Sequence, residues 1–162
     1  MTIIERLEVD ITRQLLRSFH STGELACYQV STARNGVGEM MDSECTPRGA
    51  HEIAEKIGAD CPPNTVFIAR RATGEIYDAQ FAAHHPGRDW ILTRILWLAG
   101  RDHGYNCGGE RDTKARYIYI HGTPDSTCLG APGSRGCIRM RNTDIIELFS
   151  AVAVGTRVDI VP

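Results

Sequence analysis

Cys137 lies in the stretch GSRGCIRM, residues 133–140, and His121 ends the alternating run of YIYIHGTP, residues 117–124. A thiol and an imidazole are the two halves of a nucleophile and its base. A free thiol has a pKa of about 8.5, so it reacts at neutral pH only with a nearby base or a positive field. His121 offers the base, and Arg135, Arg139 and Arg141 offer the field. A base of this kind needs a third group to fix its tautomer. No carboxylate neighbours His121 in the sequence, so the expected holder is a backbone carbonyl of the Gly122–Thr123 turn. Gly136 has no Cβ, which would let a substrate carbonyl approach the amides of Gly136 and Cys137 as an oxyanion hole. Ser134 is placed to hydrogen-bond within the turn or to a substrate. A planar guanidinium pairs bidentately with a carboxylate, so Arg139, with Arg135 and Arg141, is expected to meet substrate carboxylates. Thr123, just after the histidine, joins them as a substrate contact.

Positioning these groups falls to the elements around them. Ile4, Leu7, Ile11 and Leu15 recur at helical spacing, which predicts one amphipathic helix over residues 2–19, stopped near Ser21 to Gly23. The middle of the chain then changes to short apolar or alternating runs with Gly, Pro and Asn between them. The runs ELACYQVST, NTVFIARR, GEIYDAQF, WILTRILWL, RYIYIHG and TRVDIVP read as strands. A second helix is expected at NTDIIELFSAV, with Asn142 or Thr143 as cap, Asp144 and Glu147 favouring its N-terminal dipole, and Ile145, Ile146, Leu148 and Phe149 buried. It starts just after Cys137. The polar, glycine-rich interval from Gly104 to Lys114 is expected as a loop near the rim of the active-site cleft.

The 162 residues fit one domain, large enough to fold without covalent staples. Six cysteines therefore need not form disulfides. The first twenty residues interleave charges with apolar residues, so neither a secretory signal nor a membrane span is read there, and a cytoplasmic address with reduced thiols is expected. A net charge of −2 argues against a general nucleic-acid binder. Locally the balance reverses, with seven Lys/Arg against four Asp/Glu from Arg101 to Arg141. That excess suits either an anion site or a solvated face. No CxxC pair supports a zinc site among Cys27, Cys45, Cys61, Cys107 and Cys128, although His103 and Cys107 lie four apart and His84 and His85 are adjacent. Trp90 to Leu98 fits a core element better than a ligand groove.

IHGTP followed by SRGCIRM, and then NTDIIELFSAVAVGTRVDI, resembles the L,D-transpeptidase (YkuD-domain) family. YQVSTARNGVGEMMDSECTPRGAHEIAEKIG resembles the family's first half, with its Thr46-Pro47-x-Gly49 element. The likeness covers about residues 25–161. It implies an α+β, mainly β fold of YkuD-like β-sandwich type, with Cys137 as nucleophile and His121 as general base. It further implies a substrate, the stem tetrapeptide of a muropeptide, cut between diaminopimelate and D-alanine, and covalent inhibition by a β-lactam such as a carbapenem. The family often has histidine where this chain has Arg135.

The expectation is thus a single-domain cysteine acyl transferase with no need of a metal or organic cofactor. Without a secretory signal, it is expected to act as an L,D-carboxypeptidase in cell-wall recycling, with exchange of D-amino acids as a side reaction. The alternatives are a transpeptidase that modifies or cross-links the wall, and a non-catalytic muropeptide-binding or metal-binding module.

Overall fold

The structure, a computed structural model, describes residues 3–162. Its strands are β1 (Arg6–Asp10), β2 (Leu15–His20), β3 (Gly23–Ser31), β4 (Gly49–Ile57), β5 (Thr65–Ile68), β6 (Arg71–Ile76), β7 (Leu92–Gly100), β8 (Tyr119–Thr123), β9 (Ile138–Arg141) and β10 (Arg157–Val161). Two α-helices, α1 (Ala79–Ala83) and α2 (Asn142–Ala151), and a short 3-10 helix at Gly109–Arg111 complete the set among the described residues. The strands pair in the order β4-β10-β1-β2-β3-β9-β8-β7-β5-β6, and β4 also pairs with β7. That last pairing closes the sheet into a barrel-like ring and leaves the β5–β6 hairpin outside it. The expected mainly β α+β class holds, but its form is a closed sheet rather than a sandwich. Closure removes the exposed edges that an open sheet would present.

The N-terminal helix expected over residues 2–19 is instead the β1–β2 hairpin, which pairs antiparallel, while β1 also runs parallel to β10. Residues 1 and 2 lie outside the described residues. Leu7, Val9 and Leu16 are wholly buried on one face. A four-residue step between apolar positions fits both a 3.6-residue and a two-residue period, so Leu7, Ile11 and Leu15 do not separate helix from strand. Val9, two after Leu7, decides for the strand. The hairpin's turn is held by Gln14, whose amide donates to Ile11 O and Thr32 Oγ1 and accepts from the Thr32 N–H.

GAHEIAEKI, half polar and outside the apolar runs that read as strands, forms β4 and carries the closing pairing to β7. GEIYDAQF likewise divides: β6 ends at Ile76, and Asp78 caps the short α1 by accepting from Phe81 N–H at 2.7 Å. β7 is a core strand, with Leu92, Ile95, Leu96 and Leu98 fully buried. The core runs continuously from β1 through β8 and β9 to Ile145, Leu148 and Phe149 on α2. α2 forms where expected, but Asn142 does not cap it. Its side chain accepts from Thr93 Oγ1 and donates to Asn64 Oδ1, tying the helix start to β7 and the loop before β5. No helix among the described residues is long and apolar enough to cross a membrane. All six cysteines are free thiols, and no group of three or more metal-ligating side chains is gathered among the described residues.

His51, on β4, is wholly buried, with Nδ1–H donating to Gly49 O and Nε2 accepting from Thr113 Oγ1, both at 2.9 Å. Burial pushes its pKa down to about 4 from an ordinary value near 6.5. A histidine depressed on folding stabilises the fold above the unfolded pKa, and this contribution is lost as pH falls from about 6.5 toward 4. The loss amounts to about 3 kcal/mol. Chemical denaturation should therefore show His51→Gln losing much less stability than the parent between pH 7 and pH 4.5.

Candidate active site

β8 and β9 run parallel and adjacent, with Ile120 opposite Ile138 and His121 opposite Arg139. Side chains alternate across a strand, so this register buries both isoleucines in the core and sends His121 and Arg139 to the other face. Cys137 immediately precedes β9. His121, Cys137 and Arg139 line one cavity of about 370 Å³ with Ala69, Arg70, Asp89, Ile91, Tyr117, Tyr119, Ser134 and Arg135.

His121 is buried, and its Nδ1–H donates to Gly122 O at 2.6 Å. The tautomer is thus fixed by the backbone carbonyl anticipated from the sequence, leaving Nε2 as the basic nitrogen. The strand does not break at the histidine, however. β8 continues through Gly122 and Thr123, and a side chain at Gly122 would collide with Asn142 Oδ1 and the Leu92 carbonyl. Burial lowers the His121 pKa, with Arg139 acting in the same direction and the Gly122 carbonyl and Asp89 against it.

The Cys137 thiol is half-buried. Its Sγ donates to Tyr117 O at 3.4 Å and accepts from Tyr119 N–H at 3.3 Å. Burial pushes its pKa up to about 12. The Tyr119 amide, Arg139 and Arg116 favour the thiolate, and Asp89 opposes it. Arg116 is itself half-buried, donating to Gly38 O and to Cys45 O at 2.7 Å, so its charge is fixed near the thiol. The unliganded pair is therefore a neutral thiol beside a neutral imidazole.

The turn before Cys137 is held from several sides. Ser134 Oγ donates to Cys137 O and accepts from Gly136 N–H, so the serine serves the turn. Of the two amides expected to face a substrate carbonyl, that of Gly136 is thus engaged within the turn. Thr46 Oγ1 donates to Gly136 O at 2.9 Å and accepts from Ala33 N–H. Gly136 has φ +132°, and a Cβ there would meet Ile118 Cδ1 at 3.1 Å and Cys45 O at 3.2 Å. Glycine is required there by backbone conformation and packing.

Of the expected carboxylate contacts, Arg139 and Arg135 line the cavity and Arg141 does not. Arg139 is paired with Asp89 at 2.8 Å and donates to Gly133 O. Arg141 points to Asp144 at 3.6 Å, because its position on β9 directs it toward the first turn of α2. Thr123 is buried, its hydroxyl sharing a 2.9 Å hydrogen bond with Thr127, away from the cavity. The Gly104–Lys114 loop does not reach the rim. It packs on the segment before β4, where Arg111 meets Glu39 at 3.2 Å.

The rim is made by residues that the motifs do not include. The β5–β6 hairpin turns through Ala69 and Arg70, with φ of 49° and 65°, the sign that a two-residue type I′ turn requires. Arg70 donates to Tyr119 Oη at 3.0 Å and lies over the rings of Trp97 and Tyr117. Asp89 enters from the loop before β7. A two-residue turn at Ala69 and Arg70, between TVFI and RATGEI, without Gly or Asn at its centre, leaves no ordinary turn signal in the sequence.

Labelling of Cys137 by iodoacetamide should rise with pH through neutrality and keep rising above pH 9, because burial places ionisation of the thiol near pH 12. A plateau below pH 8 would reveal a preformed thiolate–imidazolium pair and contradict this electrostatic account.

Comparison with known proteins extends the site's geometry to the whole chain. The YkuD profile, described as the L,D-transpeptidase catalytic domain, matches residues 4–160. A putative L,D-transpeptidase YkuD of Bacillus licheniformis is 56% identical over 43 residues, 26% of this chain and 26% of that protein. Among solved structures, LD transpeptidase LdtMt1 in complex with imipenem has a TM-score of 0.55 at 18% identity, covering 96% of this chain and 58% of that one. The Ldtfm-avibactam carbamoyl enzyme has a TM-score of 0.59 at 16% identity, covering 98% and 49%. The chain thus spans about half the length of these two solved chains, and at such identities the likeness concerns the fold. With the profile matched over almost its full length, the chain belongs to the YkuD family of L,D-transpeptidase catalytic domains.

Proposed function

We propose that this protein is a cysteine acyl transferase that opens the diaminopimelate–D-alanine bond of peptidoglycan stem tetrapeptides. The observation that carries the reading is the opening of Cys137 and a tautomer-fixed His121 into one cavity. Cys137 Sγ attacks the carbonyl of the third stem residue while His121 Nε2 takes the thiol proton. The Cys137 amide faces the developing oxyanion. The C–N bond then breaks, the proton passes from His121 to the departing D-alanine nitrogen, and a thioester remains. An acceptor gives its proton to His121 and attacks the thioester. The C–S bond breaks, and the sulfur recovers its proton.

Water as acceptor gives the tripeptide, which is L,D-carboxypeptidase action. A D-amino acid gives exchange, and a second stem gives a cross-link. We favour trimming of soluble tetrapeptide in the cytoplasm as a recycling step, with exchange beside it. Cross-linking or modification of the wall is the second reading, favoured by the family itself. The same acyl-enzyme precedes all three, so acceptor access decides among them.

Neutral resting partners make the base indispensable. Cys137→Ala should abolish turnover of a muropeptide tetrapeptide followed by mass spectrometry, with the fold intact by circular dichroism. His121→Ala should lose at least 100-fold at pH 7 and recover partly in alkaline buffer, where solvent ionises the thiol. Unchanged turnover in Cys137→Ala would end this reading. Tripeptide, exchanged tetrapeptide and dimer in the products of the parent protein distinguish the three acceptors, and cell fractionation tests the compartment.

The solved LdtMt1 and Ldtfm chains hold imipenem and an avibactam-derived carbamoyl group. A carbapenem should likewise add its mass to this protein at Cys137 and block tetrapeptide turnover. An adduct on another cysteine, or none while tetrapeptide is turned over, would count against the acyl-enzyme.

A further inference from the structure

The strand pairing that places His121 is irregular on its β7 side. β7 meets β8 with Leu92 opposite Gly122 and Ile95 opposite His121. Thr93 and Arg94 therefore stand against a single step of β8, the one that joins His121 to Gly122, and form a bulge at the histidine itself. Thr93 is wholly buried and has φ 76°, a conformation that a β-branched residue adopts only where its surroundings impose it. Its hydroxyl donates to Asn142 Oδ1 at 2.6 Å and accepts from Asn64 N–H at 3.0 Å. The Asn142 Nδ2 donates in turn to Asn64 Oδ1 at 2.9 Å. The Thr93 carbonyl accepts from Arg94 Nη1 at 2.7 Å, and the same nitrogen donates to Cys61 O at 2.8 Å.

This cluster abuts the peptide that holds the imidazole. The space in which Gly122 would carry a side chain is taken by Asn142 Oδ1 and the Leu92 carbonyl, with Thr93 Cβ 3.1 Å from the same point. Gly122 O is the acceptor of His121 Nδ1–H. A carbonyl in a regular sheet lies in the plane of the sheet and meets the neighbouring strand. One that bonds a side chain on the sheet's face needs a local departure from that plane, and the bulge lies where the departure is needed. Neither Thr93 nor Asn142 lines the thiol cavity, so their route to the chemistry runs through Gly122 and the imidazole. Apolar contacts alone could join α2 to β7. A buried hydroxyl and carboxamide cost energy unless fully paired, and what their directional bonds add is orientation.

We infer that Thr93 and Asn142 are positioning residues for the general base, the bulge and the Asn142 carboxamide together fixing the Gly122 peptide so that its carbonyl meets His121 Nδ1–H and leaves Nε2 for the thiol. The inference rests on the acyl-transfer reading and adds to it the groups that hold its base. Three segments remote in sequence meet there, Asn64 before β5, Thr93 on β7 and Asn142 at the start of α2.

Nuclear magnetic resonance of protein labelled with 15N-histidine reads the tautomer directly, the His121 signals being those lost in His121→Gln. At neutral pH the parent should show His121 as the Nδ1–H tautomer alone. Thr93→Val keeps the branched shape and removes the hydroxyl. It should populate the Nε2–H tautomer at His121 and lower kcat for a stem tetrapeptide roughly tenfold or more, with KM nearly unchanged. Thr93→Ser returns the hydroxyl and should restore both the tautomer and kcat, whatever its melting temperature. Asn64→Gly keeps the positive φ of that position and frees the Asn142 carboxamide, so it should move the tautomer in the same direction and serves if Thr93→Val does not fold. An unmoved Nδ1–H tautomer in folded Thr93→Val, or in Asn64→Gly where that protein does not fold, would overturn the positioning role and leave acyl transfer standing. Equal loss of kcat in Thr93→Ser and Thr93→Val would do the same. A shifted tautomer in the variants of a parent that turns over no tetrapeptide would support the positioning role and remove the acyl-transfer reading.

Discussion

The site depends first on the register of β8 against β9. Because side chains change face at every residue, the pairing of Ile120 with Ile138 and of His121 with Arg139 divides the two strands into a core face and a cavity face. A slip of one residue would bring a buried isoleucine to the cavity and drive an imidazole into the core. The register is held by the apolar cluster on one side, where Ile120, Ile138 and Met140 are wholly buried. On the other side it is held by the backbone bonds of the turn before Cys137 to Thr32 and Arg34. Stability and the placement of the chemistry therefore have the same source.

The second constraint is desolvation. Placing Cys137 and His121 where water is scarce raises one pKa and lowers the other, so the resting pair is uncharged. Burial alone would make the thiol inert, and several fixed groups act against it. The Tyr119 amide donates to the sulfur, and Arg116 and Arg139 add positive field. Arg116 keeps its position through the carbonyls of Gly38 and Cys45, which ties the long connection between β3 and β4 to the surroundings of Cys137. Thr46 performs a related task by bonding Gly136 O and the Ala33 N–H together.

The cavity's outer wall comes from segments remote in sequence from the Cys–His motifs. The β5–β6 hairpin stands outside the closed ring and brings Arg70 onto Trp97, Tyr117 and Tyr119. Its turn holds two non-glycine residues at positive φ, a conformation that costs energy and persists where the surroundings demand it. The arginine's hydrogen bond and its aromatic contacts supply part of that demand.

The sequence by itself determined the mainly β class and the helix α2, and it singled out Cys137 and His121, which line one cavity, because alternation, helical period and chemically distinctive residues are local properties of the chain. It also indicated that a carbonyl after His121 would hold the imidazole. It misassigned residues 2–19, because apolar steps of four suit a helix and a strand equally, and it missed β4, whose polar face is paid for by the pairing that closes the ring. It placed Arg141 and Thr123 at the site from nearness along the chain. Which arginines line the thiol cavity, which amide of the turn Ser134 engages, and how Asp89 and Arg70 come to line the cavity were decided only by the tertiary structure. Those outcomes depend on strand register, ring closure and contacts between residues distant in sequence, none of which a local pattern specifies.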